Sequence, residues 1–422
     1  MKSEVDNNLF KNIIKLLSGA GVGSAVGFLA APVITRLYTP ADFGLLALFS
    51  SICVLCYPFC TLKYSLAIPL HTDERISINS VAACLLVLCV NTVILGFILC
   101  FFHSSVLSFF DALRLDVFWY YIPVAFFLYG VSEILSYYSI RYRRFSTIAT
   151  VSVVQKIVGV LTKISMGLFR FGVTGLLLGN ILAESGGLSL YIRTYWKRFK
   201  VGIAYVKLSK ICFVLKRYTD FPRYRIPSQI LLNTAGSLPI LYFTWHFGTG
   251  ATGQLSLALS ILSLPVTIGC TCVGRAFYGE IAALGKEKRK EIFSLTLRIM
   301  IKLLAIIIVP FLLILCFGPW LFLNFFGPEW TLSGVFARYM SLYLIFRFVY
   351  SPVSDGIFNV FECQKILFWL EVSRLTIVVM SLLVAFLYGF SVTDTIIIYS
   401  LALMVQYLLS IILVFYILKK MI

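Results

Sequence analysis

Ten ionisable side chains fall inside or close to long apolar stretches, and they are the residues best placed to do chemistry: Glu133, Lys156, Lys163, Glu184, Arg298, Lys302, Arg338, Arg347, Glu371 and Arg374. A Lys or Arg at the centre of a hydrocarbon layer costs about 2.5–3.5 kcal/mol, so seven facing lipid at mid-depth would cost on the order of 20 kcal/mol. Such groups belong against a watery interior or a partner, although Lys163 and Arg298 can also snorkel to an interface. Spacing sorts them onto faces. Lys156 and Lys163, seven apart, share a helical stripe, and so do Arg298 and Lys302, four apart. Glu371 and Arg374, three apart, can neutralise each other. Tyr339, Tyr343, Arg347 and Tyr350 make an aromatic–basic stripe, a surface that suits sugars and phosphates and that plain packing also produces. Arg338 and Arg347 point to opposite sides of one helix. Seven basic against three acidic groups leave about +4, an interior that favours an anion. A proton-driven exporter of cationic drugs should show the reverse bias.

No catalytic motif accompanies them. Gly279 to Lys286 resembles a phosphate loop, but its gap is one residue too long and neither Ser nor Thr follows the Lys. Gly19, Gly23 and Gly27 recur every fourth residue, a spacing that lets another helix approach closely. Cys53, Cys56 and Cys60, like Cys270 and Cys272, lack the convergent ligands of a zinc site and read as small packing residues. His71, His103 and His246 lie in separate loops. No metal, no cofactor and no catalytic residue is expected.

The elements that must position these charges are membrane helices. The chain has 422 residues, 60% hydrophobic and 13% charged, with a mean hydropathy of +0.95. Soluble domains carry about twice that charge, so a soluble enzyme is excluded and an all-α polytopic membrane protein is predicted. Twelve apolar stretches lie at about 13–34, 43–62, 78–102, 117–138, 146–168, 172–192, 226–245, 253–274, 295–317, 335–353, 366–388 and 394–417. The first follows a polar, Lys-containing leader without a small-residue cleavage site and is expected to stay as a span. Basic residues fall overwhelmingly on one side of this alternation: Lys2, Lys11, Lys15, Lys63, Arg75, Arg141, Arg143, Arg144, the 193–225 connection, Arg275, the Lys286–Lys290 cluster, Lys365, Lys419 and Lys420. Arg36, Arg114 and Arg170 fall on the other. By the positive-inside rule both termini are cytoplasmic, and most of the +18 net charge records topology and not nucleic-acid binding.

The 193–225 connection mixes Lys and Arg with apolar residues, as an amphipathic segment on an anionic leaflet does. It divides the chain into an N-terminal lobe (1–192), a linker (193–225) and a C-terminal lobe (226–422). A weak repeat supports two lobes: Gly44 to Ile52 reads GLLALFSSI and Gly253 to Ile261 reads GQLSLALSI, each followed by a proline, Pro58 or Pro265, and then a basic residue.

Several segments resemble a known family. Arg36-Leu-Tyr-Thr-Pro-Ala-Asp-Phe-Gly44 resembles the RLYTPxDFG signature of bacterial polysaccharide-unit flippases, and Phe326-Gly-Pro-Glu-Trp330 resembles their FGxxW loop. Leu62 to Ile68, Ser351 to Ser354 and Phe358 to Lys365 are similar to further family segments. The resemblance implies the multidrug/oligosaccharidyl-lipid/polysaccharide exporter fold, about 12 transmembrane helices in two six-helix lobes forming a V around a central cationic cavity. It implies movement of an undecaprenyl-pyrophosphate-linked oligosaccharide, such as an O-antigen unit, across the bacterial inner membrane. Its partners would be that substrate, membrane lipids, a polysaccharide polymerase and a chain-length regulator. Lys63 and Arg275, expected to end the second helix of each half, match positions where related lipid II flippases carry cavity arginines. With them, Lys302, Arg347 and Arg374 are the expected pyrophosphate ligands, Tyr343 and Tyr350 the sugar contacts, and Glu133 and Glu184 the proton-responsive groups. Two alternatives stay open: a membrane-embedded polymerase, which usually needs a long charged outward loop, and a cation or drug antiporter of the same fold.

Overall fold

The computed structural model describes residues 21–70, 73–109, 113–142, 144–219, 221–284, 287–361 and 363–420. Helix is the regular structure among them, with no strand: α1 (Gly21–Leu37), α2 (Pro40–Cys56), α3 (Glu74–Phe109), α4 (Tyr121–Arg141), α5 (Phe145–Leu168), α6 (Val173–Ser185), α7 (Leu188–Gly202), α8 (Leu208–Arg217), α9 (Ile226–Leu284), α10 (Arg289–Phe326), α11 (Thr331–Val360), α12 (Gln364–Leu387) and α13 (Val392–Lys420). This is what a bilayer demands, since a helix satisfies its own backbone polar groups where no water can.

Among the described residues nine helical segments are long and apolar enough to cross a membrane. Each of the twelve expected stretches is largely helical where described, and three causes separate the two counts. Only the stretch from Gly21 of α1 is described, α4 is diluted by Glu133 and its Tyr and Ser residues, and two stretches run together in α9. Gly248 breaks α9 with a φ of 80°, a left-handed conformation that glycine adopts without strain. The sixth stretch is interrupted at Gly186 and Gly187, where a Cβ would press on Val158 and Val151, so α6 and α7 meet α5 through a two-glycine joint.

The chain forms two compact units, one running to Ser237 apart from Thr39–Ala41, which group with the second, Leu238–Ile422. In the first, buried positions along α4 repeat at helical spacing (Ile122, Phe126, Gly130, Ile134 and Tyr138) and pack against α3 around Leu88. In the second, Phe336, Met340, Tyr343 and Leu344 of α11 form the corresponding buried stripe.

Small residues set the closest helix approaches. Gly23 packs on the Lys156 stem, with 3.2 Å from a Cβ built there to Cγ, whereas Gly27 has nothing within 4 Å, so the four-residue glycine face is only partly a packing face. Gly19 lies outside the described residues. Closer contacts occur elsewhere. A Cβ on Gly159 would stand 2.8 Å from the Ala183 Cβ, and one on Gly318 would stand 2.6 Å from the Gly334 carbonyl. Gly318→Val is therefore expected to lower thermal stability and membrane yield sharply, while Gly27→Ala should be neutral in the same melting assay.

Candidate functional site

In the first unit, α2 gives way to a 3-10 turn at Tyr57–Phe59, and the chain then passes through Leu62 (φ 48°) and Lys63 (φ 60°). Two consecutive non-glycine residues in the left-handed region cost about 1–2 kcal/mol each. The distortion delivers the Lys63 ammonium to α4, where Nζ donates to Glu133 Oε1 at 3.0 Å. Thr61 donates to the other carboxylate oxygen at 3.2 Å. The pair is nearly enclosed, with side-chain exposures of 13% and 9%. Beside it Tyr57 and Tyr129 stack face to face, centroids 3.8 Å apart and planes 3° apart. Glu184, half-buried, acts electrostatically on both rings and on Lys156, and Gln155 bridges to Ser132 at 3.2 Å and to the Glu184 carbonyl at 3.1 Å. Thus Lys63 and Glu133, assigned separate roles by sequence, are direct partners.

In the second unit, α11, α12 and α13 bring a second group together. Arg374 Nη1 donates to Glu371 Oε2 at 2.8 Å, and its guanidinium lies over the Tyr407 ring, 5.1 Å from the centroid. Tyr407 stacks on Tyr343 (6.2 Å, 10°), Tyr343 meets Tyr399 edge-on at 5.9 Å, and Tyr350 lies 6.0 Å from Tyr407. Arg347 acts electrostatically on Tyr343 and Tyr399. Gln406 donates to Ser373 at 2.7 Å and fixes α13 against α12. One expectation needs correcting. Tyr343 is 1% exposed and Tyr350 is likewise buried, so neither offers a ring face to a sugar; the aromatic stripe is packing that positions the arginines. Tyr399, Gln406 and Tyr407 belong to this group and were not foreseen, because the residues they contact stand on other helices, α11 and α12.

The two recognised loop motifs are structural wedges. Tyr38 is buried between Gly167 and Gly175 and donates to the Lys163 carbonyl at 2.7 Å. Burial, with Asp42 adding to it, pushes its hydroxyl up to about 12 and keeps it a donor. At the other motif, Gly327 turns with φ 108°, Trp330 is buried, and Gln254 donates to the Glu329 carbonyl at 2.6 Å while accepting from Ser333 N at 2.8 Å.

The family described as "Polysaccharide biosynthesis protein" matches residues 33–334, which spans both wedges and the Lys63–Glu133 pair. The chain belongs to that family. No curated protein sequence matches it. Among solved structures, the lipid II flippase MurJ in an inward closed conformation is similar with a TM-score of 0.68 at 10% identity, covering 96% of this chain and 90% of that one. An inward-facing multidrug resistance MATE family transporter of the MOP superfamily is similar with a TM-score of 0.63 at 16% identity, covering 96% and 95%. A MOP superfamily transporter from Pyrococcus furiosus whose binding pocket has reverse polarity is similar with a TM-score of 0.52 at 15% identity, covering 97% and 96%. At these identities the likeness shows a shared fold.

The remaining expected site residues of this polysaccharide biosynthesis protein are placed as follows. Arg275 does not end a helix: α9 continues to Leu284, with no proline between them, and the Arg275 side chain lies outside the described residues. Lys63, likewise, stands past the end of α2 and not at its last turn. Lys302 is exposed on α10 and is not gathered with the α11–α13 group. Arg338 donates to the Cys316 carbonyl at 2.9 Å, on the other side of α11 from the tyrosines that Arg347 faces. The three carboxylates expected inside the membrane, Glu133, Glu184 and Glu371, thus each have a cation beside them.

Proposed function

We propose that the protein moves an undecaprenyl-pyrophosphate-linked oligosaccharide from the cytoplasmic to the periplasmic leaflet, by alternating access of its two units and without covalent chemistry. The observation that carries this reading is the way intramembrane cations are held. Lys63 and Arg374 each sit against a single carboxylate, Arg374 also against a ring face, and a pyrophosphate, with more oxygens and more negative charge, can replace those contacts with several charge-assisted bonds. Membership of a polysaccharide biosynthesis family and the transporter fold support the same substrate class. Lys63, Arg275, Lys302, Arg347 and Arg374 would draw the pyrophosphate, and proton uptake by Glu133 or Glu184 would release its cation to do so. Both termini would be cytoplasmic and the membrane the bacterial inner one.

A leaflet assay in cells lacking the protein tests this. Lipid-linked units are expected to accumulate on the cytoplasmic side, and Arg275→Ala is expected to reproduce that accumulation while the protein stays inserted. Normal flipping with failed chain growth would instead identify a polymerase, and full polysaccharide production by the Arg275 variant would remove that residue from the site.

A further inference from the structure

A cleft of about 500 Å³ opens where α3 begins, bounded by Asp73, Glu74 and Arg75 on one side and by Lys197, Arg198 and Tyr205 on the other. Glu74 starts a membrane-spanning helix, so the cleft lies at the membrane–water boundary. Its walls are fixed. Asn79, fully buried on α3, donates to the Tyr205 carbonyl at 3.0 Å and accepts from Lys207 N at 2.9 Å, which clamps the segment after α7 onto α3. Gly202 lets α7 touch Ile78 at the floor.

Both arginines are held by ring faces. The Arg75 guanidinium lies 4.9 Å from the Tyr205 centroid and that of Arg198 lies 3.9 Å from the Tyr142 centroid. Neither they nor Lys197 form an ion pair with a carboxylate among the described residues. A guanidinium stacked on a ring keeps its N–H edge available, the geometry that grips a phosphate. The carboxylates have lighter duties: Glu74 accepts from the Tyr142 hydroxyl at 2.9 Å, and Asp73 accepts from the Arg75 backbone N–H at 2.9 Å. Three cations and two carboxylates in one cleft suit a ligand of both signs. A plain phosphate would leave the carboxylates opposed to it. Beside the cleft Val201 and Ile203 are 65% and 71% exposed, an apolar rim on which acyl chains can lie.

We propose that this cleft binds the headgroup of a zwitterionic phospholipid with a primary ammonium, its phosphodiester held by Arg75, Lys197 and Arg198 and its ammonium by Asp73 and Glu74. The site would tie the linker end of the first unit to the surrounding leaflet, and it does not depend on which substrate the protein carries.

Native mass spectrometry of the full chain, titrated with phosphatidylethanolamine, phosphatidylglycerol, phosphatidylcholine and soluble glycerophosphoethanolamine, tests it. Phosphatidylethanolamine is expected to bind about tenfold tighter than the other two lipids. Arg75→Ala with Arg198→Ala should lower that binding by about tenfold or more, since two charge-assisted contacts are lost. Asp73→Asn with Glu74→Gln should abolish the preference over phosphatidylglycerol while leaving lipid binding in place. Equal binding of phosphatidylglycerol by the unaltered protein, or binding untouched by the arginine substitutions, overturns the proposal. Glycerophosphoethanolamine binding as tightly as the lipid overturns the lipid assignment in favour of a soluble ligand.

Discussion

Lys63→Ala is expected to abolish surface polysaccharide, and the same loss is expected in the double variant Lys63→Ala with Glu133→Gln, which separates transport from folding. The single substitution strands the Glu133 carboxylate, 9% exposed, opposite an empty position. Breaking a buried pair by removing one partner costs about 3–5 kcal/mol, enough to confound loss of function with loss of protein. The double variant leaves two neutral groups and no orphan charge, and the Thr61 hydroxyl can still donate to the amide oxygen that replaces the carboxylate. It should therefore insert and melt close to wild type. If it also restores polysaccharide, the pair is a structural brace and Lys63 has no part in substrate binding. If it is stable and inactive, the ammonium is needed in transport. Glu133→Gln alone completes the test. It leaves the Lys63 ammonium, 13% exposed, without its carboxylate, so it should lower the melting temperature as Lys63→Ala does, while the protein that inserts keeps flipping but loses whatever dependence on a proton gradient the unaltered protein shows. The backbone at Leu62 and Lys63 makes this site singular, because left-handed residues persist only where their surroundings over-determine them, and here the ion pair and Thr61 do so.

How much of this was legible in sequence depended on the distance over which each signal acts. The helices were legible because an apolar run of bilayer length is the signal itself, and Glu371–Arg374 was legible because its partners are three residues apart on one helix. The Lys63–Glu133 bond was not, since 70 residues separate its ends and each side chain alone reads as an isolated cost. The aromatic stripe of α11 was visible as a face, but its partners Tyr399 and Tyr407 stand on α13, and only their contact shows that the face is packing. Glycines show the same limit. Spacing identified Gly23 and Gly27 equally, while the tighter contacts at Gly159–Gly179 and Gly318–Gly334 join different helices. Tyr38 and Trp330 carried a family likeness without a role; their burial supplies one, as wedges that fix the loops after α1 and α10.

Arg374 offers the second large effect, and its conservative variant distinguishes two kinds of recognition. The guanidinium is held at two points, by Glu371 on the preceding turn and by the face of Tyr407, with Gln406 locking the helix that carries that ring. Glu371 is 35% exposed, so its ion pair contributes no more than about 1 kcal/mol. Glu371→Gln should leave the melting temperature almost unchanged and should not slow flipping. Arg374→Ala is expected to lower flipping in proteoliposomes by more than about tenfold, the loss of one charge-assisted contact to a phosphate. Arg374→Lys keeps the charge but loses the planar fork and the stack on Tyr407. If the pyrophosphate is gripped by two parallel N–H bonds, the Lys variant should fall most of the way to the Ala variant. If the residue serves only as a positive point charge, it should match wild type. Unaltered flipping in the Ala variant would remove Arg374 from the site and leave the α11–α13 tyrosines as core packing alone.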